Sequence, residues 1–169
     1  MNITLKSGEL KSWWLIIMVC MANLVYGQSS VAKFDRVAYY EVIGGTDLEA
    51  MESQIALLDK SSLKNKDAFT GALMMKRAGL LHGASQKLKA FKAGRVKLDA
   101  AITRESDNAE LRFLRLMIQE NAPGILGYND DLEKDKDFII AHFNSIPEST
   151  RQVIRDYSRQ SKTLSQSDF

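Results

Sequence analysis

The chain has 169 residues, of which 45% are hydrophobic, and a formal net charge of +2 at pH 7. So small a charge argues against a protein whose main task is to bind nucleic acid, and we expect no nucleic-acid partner. The length is sufficient for one domain whose core is held together by packing alone.

The first 27 residues have the layout of a secretory signal peptide. Lys6 and Lys11 make the start positive, an apolar run covers Trp13–Ala22, and the small residue Gly27 marks the expected cleavage site. We therefore expect a periplasmic or secreted protein with no stable membrane insertion after cleavage. Two alternatives stay open. The run could be an uncleaved anchor, although it has roughly half of the about 20 residues that span a bilayer, or Cys20 could carry a lipid.

Apolar residues recur at spacings of three and four along the rest of the chain, which predicts amphipathic helices. Glycines, prolines and pairs of capping residues divide the pattern into seven segments. The predicted helices cover residues 32–43, 47–60, 67–82, 85–105, 109–120, 130–143 and 145–161. We expect a single all-α domain over residues 28–161 and a frayed polar tail over residues 162–169.

Two local patterns give more specific expectations at the start of this domain. The spacing of Phe34, Val37 and Ala38 predicts that they form the buried face of the first helix. Thr46 is expected to cap the second helix, with Glu49 reaching back to the threonine amide.

The segment 121–128 is predicted to be a compact turn after the fifth helix. Pro123 cannot continue a helix because it lacks an amide hydrogen. We expect Ile125, Leu126 and Tyr128 to pack the turn against the core, since all three carry large apolar groups.

Short connections between the helices predict antiparallel hairpins, arranged as an irregular bundle or as a short α-solenoid. The small residues Gly71 and Ala78 and the stretch Asn108–Glu110 resemble parts of a tetratricopeptide repeat. Ser106 stands where such repeats often have proline, and no period of about 34 residues recurs. The likeness is confined to the middle helices.

A second pattern covers more of the chain. It consists of residues 71–78, 91–94 and 110–115, together with Gln119 and residues 123–128. This pattern resembles that of a group of small, uncharacterised exported helical proteins from Gram-negative bacteria. The resemblance implies an exported helical domain and supplies no catalytic residue.

Motifs for catalysis or metal binding are missing from the sequence. His82 and His142 are the two histidines, and a zinc site would need carboxylates converging on them from distant helices. The sequence has neither a Gly-x-Ser-x-Gly turn nor a glycine-rich phosphate loop. We therefore assign no catalytic, metal-binding or cofactor-binding residue.

The fifth helix carries a polar stripe on an otherwise apolar surface. Arg112, Arg115 and Gln119 share this stripe, and Tyr128 of the following turn could join it. One interpretation is a site for an anion or a peptide terminus, because guanidinium groups suit carboxylates and phosphates. The preferred interpretation is structural, with both arginines paired to acids on neighbouring helices, such as Asp130 or Glu110, and holding the loop over residues 123–128 in place.

Three functions are compatible with these patterns. The first is a non-enzymatic exported interaction or scaffold domain, whose partner would be another envelope protein or a peptide. The second is a domain that binds a small anionic ligand or a peptide through the arginine stripe. The third is a small envelope hydrolase, which would need at least two convergent titratable groups in a pocket.

Overall fold

Seven α-helices and three short 3-10 helices make up residues 34–169, the part of the chain that the computed structural model describes. The α-helices are α1 (Arg36–Gly44), α2 (Leu48–Lys60), α3 (Lys66–Ala78), α4 (Ala84–Arg104), α5 (Ala109–Asn121), α6 (Leu132–Ala141) and α7 (Glu148–Tyr157). The 3-10 helices are Gly124–Leu126, Phe143–Ser145 and Gln166–Asp168. No strand occurs within residues 34–169, so the all-α prediction is confirmed. The predicted signal peptide lies outside the described residues.

Helix α5 is buried along nearly its whole length, from Ala109 to Gln119. It contacts α3, α4 and α6, and its Phe113 ring packs edge-on against Tyr157 of α7 at 5.6 Å between centroids. Helix α7 in turn contacts α1. A helix enclosed by several others is typical of a bundle, because a solenoid repeat contacts only its neighbours. None of the helices in the described part is long and apolar enough to cross a membrane.

The α3–α4 hairpin is packed backbone to backbone where Gly71 meets Gly94. A Cβ atom on Gly71 would lie 2.6 Å from the carbonyl oxygen of Gly94, and one on Gly94 would lie 2.5 Å from the carbonyl oxygen of Gly71. Both distances are shorter than van der Waals contact, so any side chain at either position would force the helices apart.

Helix α1 buries a different face from the one that its apolar spacing predicted. Val37 is 49% exposed, whereas Tyr39 and Tyr40 are buried. The hydroxyl of Tyr39 donates a hydrogen bond of 2.8 Å to the carbonyl oxygen of Phe69 on α3. Two tyrosine rings offer more apolar area than a valine and an alanine, and burial is favourable when the hydroxyl finds a partner.

Several helix boundaries differ from those predicted. Asp47, not Thr46, caps α2. Helix α5 begins at Ala109 as predicted, and Asn108 caps it by accepting hydrogen bonds from two first-turn amides. Helix α3 ends at Ala78, before the predicted end at residue 82, and Gly83 with φ of 82° separates it from α4. A positive φ is easily adopted by glycine because it has no Cβ atom.

Glu105, directly after α4, holds the connection between α2 and α3 in place. Its Oε1 atom lies 2.8 Å from Lys64 Nζ. Its Oε2 atom accepts hydrogen bonds from the side-chain amides of Asn65 at 2.8 Å and Asn108 at 3.1 Å. The hydrogen bond from Lys64, followed by those from Asn108 and Asn65, lowers the pKa of Glu105 to about 2.

The C-terminal segment, predicted to be a frayed tail over residues 162–169, is packed against the domain. Leu164 is 3% exposed, residues Gln166–Asp168 form a 3-10 helix, and the ring of Phe169 lies 4.6 Å from that of Phe143. The prediction was wrong because two apolar residues and local capping outweigh the polar composition of the segment.

Replacing Gly71 by alanine should destabilise the protein by about 1–3 kcal/mol, the usual cost of overpacking an interior. Gly44→Ala is the matched control, since nothing lies within 4 Å of a Cβ at Gly44, and it should be neutral or stabilising by up to about 1 kcal/mol. Urea unfolding followed by helical circular dichroism measures both changes. Equal stability of the two variants would contradict the close contact with Gly94.

Glu105 should make stability depend on pH between about 4.5 and 2. Because folding lowers the pKa of this carboxyl group, its stabilising contribution is complete above its unfolded pKa and is lost as pH falls through the folded pKa. The difference in free energy of unfolding between the wild type and Glu105→Gln should therefore shrink as pH falls from 4.5 to 2. Glu41→Gln is the control, because Glu41 is exposed. Its free energy of unfolding should stay close to that of the wild type across this pH range.

Candidate functional site

The arginine stripe of α5 is directed at one buried carboxylate. Asp135 of α6 is 0% exposed, and Arg115 donates to both of its oxygens, from Nε at 2.6 Å and from Nη2 at 2.7 Å. Arg112 Nη1 donates to the same carboxylate at 3.1 Å. A second acid, Asp131, lies 3.0 Å from Arg115 Nη1. Both guanidinium groups are thus paired within the chain.

The pairing with Asp135 stabilises the charged form of Arg115. Burial opposes the charged form of Arg115, but the hydrogen bond and charge of Asp135 outweigh it and raise the pKa of the arginine. Arg112 also donates to the carbonyl oxygen of Ser106 at 3.1 Å, and its guanidinium lies 4.8 Å from the ring centroid of Phe138. Gln119, the third residue of the stripe, differs from the two arginines, because its buried Oε1 atom has no hydrogen-bond partner among residues 34–169.

Glu110, which the sequence suggested as a partner of the stripe, belongs to a separate network. Its two oxygens face Arg36 of α1, at 2.9 Å to Nε and 3.2 Å to Nη2, and the hydroxyl of Thr150 on α7 donates to Oε1 at 2.7 Å. The suggested acids, Glu110 and Asp130, were therefore the wrong ones. The packing of α6 on α5 selects Asp135 instead.

Tyr128 is also held by a partner outside the stripe. Its hydroxyl donates to Asp99 Oδ1 of α4 at 2.7 Å. Burial, and then the hydrogen bond to Asp99, raise the pKa of Tyr128 well above its usual value. The ring packs edge-on against Phe91 at 5.6 Å, and Arg95 lies 4.8 Å from its centroid. Tyr128 therefore fastens the turn to α4, as its apolar ring predicted.

These contacts favour the structural interpretation of the stripe. Arg112 and Arg115 are each 8% exposed, and both donate to the carboxylate of Asp135. An incoming anion would have to displace Asp135 from both of them, which would leave that carboxylate buried and unpaired.

A more open site lies on the other side of α5, where a cleft of about 760 Å³ separates the C-terminal ends of α3 and α5, the start of α4 and the turn Gly124–Leu126. Its lining is mostly apolar and includes Leu80, Leu88, Phe91, Ile118, Ile125 and Leu126. The volume falls in the range of about 300–1,000 Å³ that is usual for small-molecule sites.

Two large apolar side chains of the lining are exposed. Leu88 is 41% exposed, and Ile125 is 95% exposed, although the sequence predicted that Ile125 would pack against the core. Leu126 is partly buried and, with Tyr128, holds the turn against the domain. Ile125 lies between Gly124 and Gly127 in the short turn that follows Pro123. Its place in such a turn was the one feature of the sequence that pointed to its exposure.

Charges around the cleft are unequal. Lys76 of α3, Lys87 of α4 and Lys162 of the C-terminal segment all contribute to its lining, against one carboxylate, Glu120. Lys87 Nζ donates to the carbonyl oxygen of Gly79 at 3.1 Å. Lys76 and Lys162 make no ion pair with any residue in the range 34–169.

Glu120 is already engaged. Its Oε2 atom accepts from the hydroxyl of Tyr157 at 2.5 Å, and Oε1 accepts from Ser161 Oγ at 2.5 Å and from the Thr163 amide at 2.7 Å. Burial alone would raise the pKa of Glu120, but the hydrogen bonds from Ser161, Tyr157 and Thr163 outweigh it and lower the pKa. Burial raises the pKa of Tyr157. Glu120 thus binds the C-terminal segment to α5.

The lining of the cleft combines apolar side chains with three lysines, one glutamate and one tyrosine. Its described lining contains no histidine and no cysteine, and residues 34–169 hold no cluster of three potential metal ligands. His82 and His142 are both exposed. What the cleft offers is apolar area with positive charges beside it.

Comparisons with protein-family models, with curated proteins and with solved structures found no match to this chain.

Replacing Asp135 by asparagine should destabilise the protein by about 3–5 kcal/mol, because two buried arginines lose their shared counter-charge. Asp131→Asn is the matched control. Its side chain is 38% exposed, so the loss should be at most about 1 kcal/mol. Urea unfolding followed by circular dichroism measures both values. Similar losses for the two variants would mean that Asp135 is not the anchor of the stripe.

Proposed function

We propose that this domain is a non-enzymatic binding domain, which holds the apolar part of a ligand in the cleft between α3, α4 and α5. The observation that carries the proposal is the exposure of Ile125 and Leu88 on the lining of an open, mostly apolar cleft. Exposed large apolar side chains that gather around one concavity are typical of a binding site, whereas isolated ones are not.

The cleft favours ligand binding over a purely scaffolding role. A scaffold needs an extended contact surface, typically about 800 Å² on each partner. The exposed apolar residues outside the cleft, Val37, Leu57 and Val96, lie on three different helices, α1, α2 and α4. The proposal also moves the binding site away from Arg112 and Arg115, whose guanidinium groups are already paired.

An enzymatic role has less support from the cleft. A reaction would require convergent titratable groups, one of which can act as a nucleophile or a base. Glu120 accepts three hydrogen bonds and has a lowered pKa, so it is a poor base. The lysines around the cleft offer charge without a paired acid or nucleophile.

Export through the segment over residues 1–27 is part of the same proposal. Its support is the order of charged, apolar and small residues in that segment. In an exported protein, a cleft of this kind would face ligands of the envelope or of the surroundings.

The test is binding of a neutral apolar fluorophore, N-phenyl-1-naphthylamine, to the purified full chain. We expect saturable binding, and we expect the double variant Leu88→Asp with Ile125→Asp to bind at least about tenfold more weakly. Loss of the apolar contact that one such side chain makes with the ligand costs about 1.5–3 kcal/mol of binding free energy. Thermal unfolding followed by circular dichroism shows whether the variant is folded.

Val96→Asp is the matched control for this experiment. Val96 is 68% exposed on α4 but does not line the cleft, so its replacement should leave the affinity unchanged. An equal loss in Val96→Asp, or no saturable binding by the wild type, would overturn the proposed function.

A further inference from the structure

We infer that the ligand of the cleft is an anionic single-chain amphiphile, namely a long-chain carboxylate whose alkyl chain lies on the apolar lining and whose head group meets the lysines. This inference rests on the proposed function and names the ligand class for the same site. Its basis is the combination of a mostly apolar lining with three lysines against one glutamate.

The charged side chains that line the cleft favour an anionic ligand. Lys76, Lys87 and Lys162 come from three separate parts of the fold and line one cleft. Glu120 supplies one negative charge against these three positive ones, so the lining keeps an excess of positive charge. A carboxylate head group gains charge-assisted hydrogen bonds from such lysines, whereas a cationic head group would be repelled.

The polar groups of the lining argue for an alkyl chain rather than a peptide. Each residue of an extended peptide brings one backbone donor and one acceptor that need partners when buried. Asn121 already donates to the Met117 carbonyl oxygen at 2.9 Å, and Tyr157 donates to Glu120. An alkyl chain needs no hydrogen bonds, so the apolar lining suits it without cost.

The cleft offers apolar side chains to an alkyl chain over a volume of about 760 Å³. They include Leu80 after α3, Leu88 of α4, Ile118 of α5 and Ile125 of the turn. Each methylene group that enters such a lining should tighten binding by about fourfold. Affinity should therefore rise with chain length until the cleft is filled.

The experiment is isothermal titration calorimetry of the full chain with octanoate, decanoate and dodecanoate at neutral pH, below their micelle concentrations. Decanol and decyltrimethylammonium are the neutral and cationic ligands of equal chain length. We expect decanoate to bind at least about tenfold more tightly than decanol, as a hydrogen bond to a charged group would give, and the ammonium ligand to bind more weakly still.

Lysine variants test which lysines contact the carboxylate head group of the ligand. Lys76→Gln and Lys162→Gln should each weaken decanoate binding by about threefold, in keeping with a partly solvated ion pair, and should leave decanol binding unchanged. Lys89→Gln is the matched control, since Lys89 is exposed on α4 and does not line the cleft. Equal weakening by Lys89→Gln would show a general effect of net charge and would overturn the inference.

The outcomes separate this inference from the proposed function. If the neutral fluorophore binds but decanoate neither competes with it nor binds more tightly than decanol, the inference is wrong and the proposed function stands. Displacement of the fluorophore by an apolar peptide, with none by any amphiphile, would also overturn it. If neither the fluorophore nor any amphiphile binds, both proposals fail.

Discussion

A helix that is buried on nearly every side and still carries charged side chains imposes a condition on everything around it. Helix α5 holds Glu110, Arg112 and Arg115 at 5–8% exposure, and an unpaired charge at such a depth is far more costly than the gain from any single apolar contact. The elements packed against these three side chains must therefore supply groups that pair with them. The arrangement of the bundle follows from how those partners are supplied.

The partners of these side chains come from different helices, so the pairing links α1, α6 and α7 to α5. Glu110 takes Arg36 from α1 and Thr150 from α7, whereas the two arginines share Asp135 from α6. Buried ion pairs contribute little net stability compared with apolar packing, because desolvation offsets their attraction. We expect them to act on specificity, since a shift of α6 by one turn would separate Asp135 from both guanidinium groups.

The sequence predicts the number and order of the helices well, because periodicity and capping residues are local properties. It also predicts that the arginines are paired. It does not identify Asp135, because that choice depends on how α6 packs on α5. The burial of Tyr39 in place of Val37 depends in the same way on a distant carbonyl group. The cleft was missed entirely, since it is made by elements far apart in the chain, and the exposure of Ile125 cannot be read from its hydrophobicity.

The contact between Gly71 and Gly94 has a mechanical consequence for the cleft. Two of its walls belong to α3 and α4, and these helices cannot slide towards each other because their backbones already touch. The spacing of α3 and α4 on their side of the cleft is therefore fixed by backbone contact, whereas the turn Gly124–Leu126, which carries the exposed Ile125, lies outside that contact.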